Sequence, residues 1–256
     1  MLNIIKKTTK KSVNYGPISA ITVTLAIYFG SQILAGVIVS LYGVMNSWTA
    51  EETIRWIEDS VLAQFWYVLG VEVLTLALLY VFVNHRRISW KSIGLGKPTL
   101  PNLAYAVPGY VVYFLALVGI LAIFSVLVPG LNFDQDQEVG FKSAQGLSLG
   151  LVFVSLVILP AFVEEILVRG FLYGGLRNKL PKLRAALITS IIFAVAHLQL
   201  SSGSPPLWVA AIDTFVLSLV LIGLREKTGN IWAGVVVHFA KNSLAFLSIF
   251  VFTGLV

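Results

Sequence analysis

The chain has 256 residues, of which 57% are hydrophobic and only 12% are charged, and its mean hydropathy is +0.88. A soluble domain of this size carries about twice that share of charged residues, so the composition excludes a soluble protein and indicates a surface that faces lipid. The absence of cysteine excludes disulfides, thiolate metal sites and a cysteine nucleophile. Basic cytoplasmic loops explain the net charge of +6 better than nucleic-acid binding does.

The start of the chain is basic and resembles the n-region of a signal peptide. Its lysines are Lys6, Lys7, Lys10 and Lys11. No small-residue cleavage site follows the first apolar stretch, and further apolar stretches come after it. We therefore interpret the first stretch as a retained span.

Seven apolar segments follow one another, each near the ~20 residues that a helix needs to cross the hydrocarbon core. They predict an all-α membrane protein, a polytopic bundle of about seven transmembrane helices. The predicted spans are 17–43, 61–83, 104–128, 147–172, 185–200, 207–224 and 231–253. The fifth and sixth are short, and only the turn-rich residues 201–206 separate them. With no soluble segment or internal repeat, we predict a single integral-membrane domain over residues 1–256.

The loops between the predicted spans alternate in charge. The basic segments are 1–16, 84–97, 173–184 and 225–227, whereas the acidic residues lie in 51–59 and 134–138. With seven spans, all basic segments fall on one side of the membrane. The positive-inside rule then places the N-terminus in the cytoplasm and the C-terminus outside. We expect a cell membrane, and the compact chain favours the plasma membrane of a bacterium.

Polar side chains inside the predicted spans are the main indication of function, because each charge costs at least ~2.5 kcal/mol to insert. Those in the fourth, fifth and seventh spans are Glu164, Glu165, Arg169, His197, His238, Lys241 and Asn242, and isolated charges are Glu72 and Asp213. We expect Lys241 to pair with Asp213 or Glu72, or to tune the site.

Helical spacing divides the roles of the two adjacent glutamates. Neighbouring helix residues point about 100° apart, so we predict that Glu164 and Glu165 do not face the same spot. Glu165 precedes Arg169 by four residues, the order that favours an ion pair on one helix face. This division makes Glu165 and Arg169 supporting residues and leaves Glu164 free for chemistry. Pro160, one turn before Glu164, is expected to bend the fourth helix.

These residue types suit the hydrolysis of an amide. A glutamate that is partly desolvated in a helix bundle is a plausible general base toward water. A neutral histidine could position that water or bind a metal, and a second histidine with an asparagine can donate hydrogen bonds to the developing oxyanion. His238 and Asn242 are four residues apart and share a helix face. No serine or cysteine stands in a recognisable nucleophile arrangement, which favours direct attack by water.

Three motifs at these positions resemble those of the CAAX-protease and bacteriocin-processing family, also called the Abi family, of intramembrane proteases. The chain carries EExxxR at Glu164–Arg169, FxxxH at Phe193–His197 and HxxxN at His238–Asn242. Each motif alone is weak, but three in the right order, each inside an apolar span, are a specific signal. The resemblance covers about 147–245, the predicted catalytic core, whereas the N-terminal helices of 1–146 match only in being hydrophobic.

The resemblance implies a CAAX prenyl endopeptidase-like hydrolase in which Glu164 and His197 activate water while His238 and Asn242 stabilise the oxyanion. Family members are often described as metalloproteases, and a divalent metal such as zinc would be bound here by Glu164, His197 and His238. The chain lacks an HExxH motif, and these side chains would reach one ion only across separate helices. We therefore favour catalysis without an obligatory metal.

The predicted function is an intramembrane endopeptidase that acts on a peptide or a membrane-anchored protein. Substrates of the family range from prenylated C-terminal CAAX tails to peptide pheromones and bacteriocin precursors, and the sequence does not select among them. An alternative is a non-catalytic bacteriocin-immunity or protein-sorting role. A secondary transporter would also place acids and histidines in the membrane, but such folds usually show internal repeats.

Overall fold

The computed structural model describes residues 14–133, 135, 139–199 and 206–252. This part of the chain is an all-helical bundle, which confirms the predicted fold class. Its helices are α1 (Pro17–Met45), α2 (Ala50–Asp59), α3 (Val61–His85), α4 (Leu100–Leu127), α5 (Ser148–Arg177), α6 (Lys182–Val195), α7 (Trp208–Thr228) and α8 (Trp232–Phe252). The N-terminal lysines, the acidic residues Asp134, Asp136 and Glu138, and most of the 201–206 breaker lie outside the described residues.

Six of these helices are long and apolar enough to cross a membrane, namely α1, α3, α4, α5, α7 and α8. The segment predicted as the fifth span differs, because α6 ends at Val195 after 14 residues. At 1.5 Å per residue it is about 21 Å long, short of the ~30 Å hydrocarbon core. The chain then turns at Ala196 and His197, so His197 follows the helix rather than lying within it.

Contacts between loops nevertheless show that the chain crosses the bundle after α5. At one end, the Ile231 N–H donates to the Gly94 carbonyl at 3.1 Å. At the opposite end, Gln135 Nε2 donates to the Pro206 carbonyl at 3.0 Å. Arg177 at the end of α5 pairs with Glu226, five residues before Ile231, so the chain leaves the first end near Lys182 and has reached the second end at Pro206. The order of the loop ends therefore agrees with the predicted alternation, while the side that faces the cytoplasm stays a prediction.

The acidic segment after the first span is a helix rather than an open loop. The Thr49 hydroxyl accepts from the Glu52 N–H at 3.2 Å, and the Glu52 carboxylate accepts from the Thr49 N–H at 2.7 Å. This reciprocal capping box satisfies two free donors at the start of α2. The same hydrogen bonds hold the pKa of Glu52 below its usual range.

Helix α5 lies at the centre of the bundle and is irregular. Half of the most apolar part of α5 and of α7 is buried, against 22% or less in the other four long helices. Two π-helical stretches, Val154–Ile158 and Glu165–Leu172, flank an α-helical turn. The first ends just before Pro160, which has no N–H for the helical hydrogen bond. A bend was expected at Pro160; the structure shows a π-helical stretch next to it, a feature often found at functional sites.

Candidate active site

Glu165 and Arg169 form a buried ion pair within the second π-helical stretch of α5. Arg169 Nη1 donates to Glu165 Oε1 at 2.8 Å, and neither side chain has any exposed surface. The pair predicted from the four-residue spacing is therefore present. The Arg169 guanidinium also lies over the Phe193 ring, 4.1 Å from its centroid, and such a cation–π contact stabilises a desolvated cation.

The imidazole of His238 on α8 lies between the two glutamates. Its Nδ1 is 3.2 Å from Glu165 Oε1, and its Nε2 is 3.9 Å from Glu164 Oε2. An ionised carboxylate only accepts hydrogen bonds, so Nδ1 carries the proton that it shares with Glu165. Glu164 and Glu165 therefore approach different nitrogens of one imidazole. Both carboxylates reach one residue because the ring presents a nitrogen on each of two edges.

Glu164 makes fewer hydrogen bonds and ion pairs than Glu165. Its side chain is 29% exposed, yet its Oε2 atom is buried and has no hydrogen-bond partner among the described residues. Glu72, buried on α3, interacts with it electrostatically. A carboxylate that is not committed to a neighbouring donor retains the capacity to accept a proton from water.

His197 is oriented by the last turn of α6. Its Nδ1 lies 2.8 Å from the Phe193 carbonyl. A carbonyl only accepts, so Nδ1 carries a proton and, in the neutral ring, Nε2 is left as an acceptor. His197 also interacts electrostatically with Glu164, Lys241 and His238. This tautomer can accept a hydrogen bond from water near Glu164.

The Phe193 ring joins the two histidines to the ion pair. Its centroid is 4.7 Å from that of His197 and 6.2 Å from that of His238, both edge-on, and the Arg169 guanidinium covers it. Sequence reasoning placed Phe193 in a motif with His197 but assigned it no role. Its four-residue spacing from His197 was the available signal.

Asn242 contacts α5 at a different level. Its Nδ2 donates to the Leu156 carbonyl at 3.0 Å. Leu156 precedes Glu164 by eight residues, which is about 12 Å along a helix. The structure therefore gathers both glutamates around His238, and it places Asn242 one turn further along α8.

Gly234 allows α8 to approach the ion pair closely. A Cβ atom built on this glycine would lie 2.9 Å from Glu165 Oε2, closer than real side chains pack. Sequence reasoning missed Gly234, because a glycine within an apolar helix carries no chemical group that indicates a contact.

Lys241 pairs with Asp213 rather than with Glu72. Its Nζ lies 3.1 Å from Asp213 Oδ2, and the Tyr113 hydroxyl donates to the same carboxylate. These contacts link α4, α7 and α8 beside the site. Glu72 is not part of this group and instead lies near Glu164.

The suggested metal ligands do not form a metal site as placed. Within the described ranges, no group of three His, Asp or Glu side chains could hold one ion. Glu164, His197 and His238 lie on three separate segments, and each imidazole directs Nδ1 at a protein oxygen, which leaves its Nε2 free. As placed, these side chains do not supply the three protein ligands that a zinc site requires.

An apolar cavity of about 720 Å³ lies between α4, α6 and α7. Ala194 and Leu198, which flank the turn that carries His197, are among its lining residues. Others are Ile120, Phe124, Trp208 and Phe215. The cavity therefore lies next to the turn that carries His197, and its walls are apolar.

Residues 146–244 match the family model described as type II CAAX prenyl endopeptidase Rce1-like. The matched segment contains α5, α6, α7 and most of α8. It includes all the motif residues, namely Glu164, Glu165, Arg169, Phe193, His197, His238 and Asn242. No curated protein and no solved structure matches the chain.

Fold and site together define a polytopic helical membrane protein with a buried acid–histidine cluster. The match of residues 146–244 to the Rce1-like model of type II CAAX prenyl endopeptidases is consistent with the CAAX-protease and bacteriocin-processing family. The helices before residue 146 lie outside the match.

Proposed function

We propose that the protein hydrolyses a peptide bond of a peptide or membrane-associated protein, using a water molecule activated by Glu164 and His197. The observation that carries this proposal is the position of His238, whose two nitrogens lie 3.2 Å from Glu165 and 3.9 Å from Glu164. The Glu165 carboxylate orients the imidazole by accepting its Nδ1–H. The Glu164 carboxylate faces the ring but does not form a hydrogen bond with it.

The first step is attack by water on the scissile carbonyl carbon. Glu164 accepts one proton from the water as the new C–O bond forms, and His197 Nε2 orients the water by accepting its other hydrogen. The fixed tautomer of His197, set by the 2.8 Å contact from Nδ1 to the Phe193 carbonyl, supports this role.

The carbonyl oxygen becomes an oxyanion that needs donors. We assign these to His238 Nε2 and Asn242 Nδ2, which lie one turn apart on the same face of α8. Because Nδ1 of His238 already donates to Glu165, its Nε2 donates only when the ring is an imidazolium.

Collapse of the tetrahedral intermediate completes the reaction. The proton held by Glu164 passes to the amide nitrogen, the C–N bond breaks, and a carboxylic acid and an amine leave. Glu164 is then ionised again, so one glutamate serves as base and then as acid.

The substrate is expected to present apolar residues near the scissile bond. The cavity beside His197 supports this, because its lining side chains are apolar and favour apolar groups from the substrate or its lipid-embedded part. Prenylated C-terminal tails and apolar bacterial peptides both fit this description.

The test compares membrane peptides from cells that carry the wild-type protein with those from cells that carry Glu164→Gln or Glu164→Ala. We expect the loss of Glu164 to reduce cleavage by about 10²- to 10⁴-fold, while the variant remains folded in the membrane. Glu72→Gln is the matched control, since it removes a neighbouring buried carboxylate that has no assigned step. Undiminished cleavage by Glu164→Ala would overturn the proposal and favour a non-catalytic role.

A further inference from the structure

Pro160 leaves one carbonyl of α5 without its usual helical partner. In a regular α-helix, the Leu156 carbonyl accepts from the N–H four residues later. That residue is Pro160, which has no N–H. The chain around Leu156 is π-helical, over Val154–Ile158.

Asn242 on α8 supplies a donor to this carbonyl. Its Nδ2 donates to the Leu156 oxygen at 3.0 Å. A polar backbone group in the apolar interior of a membrane bundle is destabilising without a partner, so this hydrogen bond has a structural reason. It also fixes which way the amide is turned, because the nitrogen rather than the oxygen must face the carbonyl.

We infer that Pro160 is a positioning residue for Asn242. By lacking an N–H, it keeps the Leu156 carbonyl available to the Asn242 amide. An amide nitrogen has two N–H bonds, and donating one to Leu156 orients the second for the substrate oxyanion. Only this last step rests on the proposed function, since the hydrogen bond itself does not depend on catalysis.

Paired substitutions test whether Pro160 and Asn242 act on the same carbonyl. Asn242→Ala in the native background removes the side-chain donor to the Leu156 carbonyl, and we expect it to lower the Tm by about 3 °C. In a Pro160→Ala background, the new backbone N–H at position 160 can donate to that carbonyl, so the same Asn242→Ala change is expected to have little effect on the Tm. An equal loss of Tm in both backgrounds would overturn the inferred link.

Kinetics test the positioning role. With a cleavable peptide in hand, we expect Asn242→Ala to lower kcat by about 10²-fold. Pro160→Ala should lower kcat by about tenfold, because the amide loses its fixed orientation while remaining present. KM should change little. In the Asn242→Ala background, Pro160→Ala should produce no further loss of kcat.

Pro108→Ala is the matched control, since Pro108 lies near the start of α4, is exposed and is remote from Asn242 in sequence. It should leave kcat unchanged. If Pro160→Ala also left kcat unchanged, the positioning role would be wrong even with the Tm result intact. If the wild-type protein cleaved no peptide, the proposed function would fail, whereas the Tm comparison would still decide the Asn242–Leu156 link.

Discussion

Arg169 and Glu165 meet at 2.8 Å with neither side chain exposed, so the site rests on an ion pair that water does not reach. Removing one member of a buried pair leaves the other as an uncompensated charge, which is far more destabilising than losing a surface pair. Glu165 also receives the His238 Nδ1–H, so the pair fixes the imidazole as well as the helix.

Arg169→Met is expected to lower the free energy of unfolding by about 3–5 kcal/mol, because it strands Glu165 in an apolar interior. Unfolding in detergent, followed by circular dichroism, measures this. Arg177→Met is the control, since Arg177 pairs with Glu226 at 3.3 Å but is 31% exposed. We expect that change to cost about 1 kcal/mol or less. Similar losses for the two variants would contradict the importance assigned to the buried pair.

Gly234→Ala is expected to displace the Glu165 carboxylate, because the added Cβ would lie 2.9 Å from Oε2. Such overpacking typically destabilises a core by about 1–3 kcal/mol, and here it should also reduce kcat through His238. Gly223→Ala on α7 is matched to it, since a Cβ there meets nothing within 4 Å. That control is expected to be neutral or slightly stabilising. A Gly234→Ala protein with native stability and kcat would show that α8 can move away from Glu165 freely.

Phe193→Leu is expected to reduce kcat by about tenfold, because small displacements of catalytic groups strongly affect rate. The substitution keeps an apolar side chain but removes the ring that contacts Arg169, His197 and His238. Phe162→Leu serves as the comparison, since Phe162 stacks on Trp232 with centroids 5.9 Å apart and makes no ring contact with a histidine among the described residues. Steady-state kinetics on both variants separates an effect on the site from a general loss of aromatic packing. Equal kcat for the two would argue against a role for Phe193 in the site.

Chelation tests the metal question directly. Since the donor atoms of Glu164, His197 and His238 do not converge on one point, we expect cleavage to persist after treatment with EDTA or 1,10-phenanthroline. Metal analysis of the purified protein by mass spectrometry provides a second readout. Loss of cleavage that zinc restores would show that the side chains rearrange around an ion.

Much of the fold follows from short-range pattern alone. Apolar runs bounded by charged or turn-forming residues predict the long helices to within a few residues, because a helix in lipid must satisfy its own backbone and present apolar side chains. The pairing of Glu165 with Arg169 is equally local, since positions four apart on a helix are neighbours whatever the rest of the chain does.

The length of α6 could not be predicted from the sequence. Residues 185–200 are apolar throughout most of their length, which predicts a span but does not reveal where the helix stops. In the structure it stops at Val195, and His197 turns its Nδ1 onto the Phe193 carbonyl at the helix end. The last carbonyls of a helix have no partner within the helix, and the group that bonds to them depends on local capping and tertiary contacts. The apolar pattern of the sequence does not predict that group.

By itself, then, the sequence determined the membrane bundle, the three motifs and the contacts within one helix. Only the tertiary structure decided that His238 lies between both glutamates, that Lys241 pairs with Asp213, and that Asn242 donates to the Leu156 carbonyl. The physical reason is that contacts between helices depend on their mutual rotation and depth. A single π-helical stretch such as Val154–Ile158 changes that rotation without changing the apolar pattern.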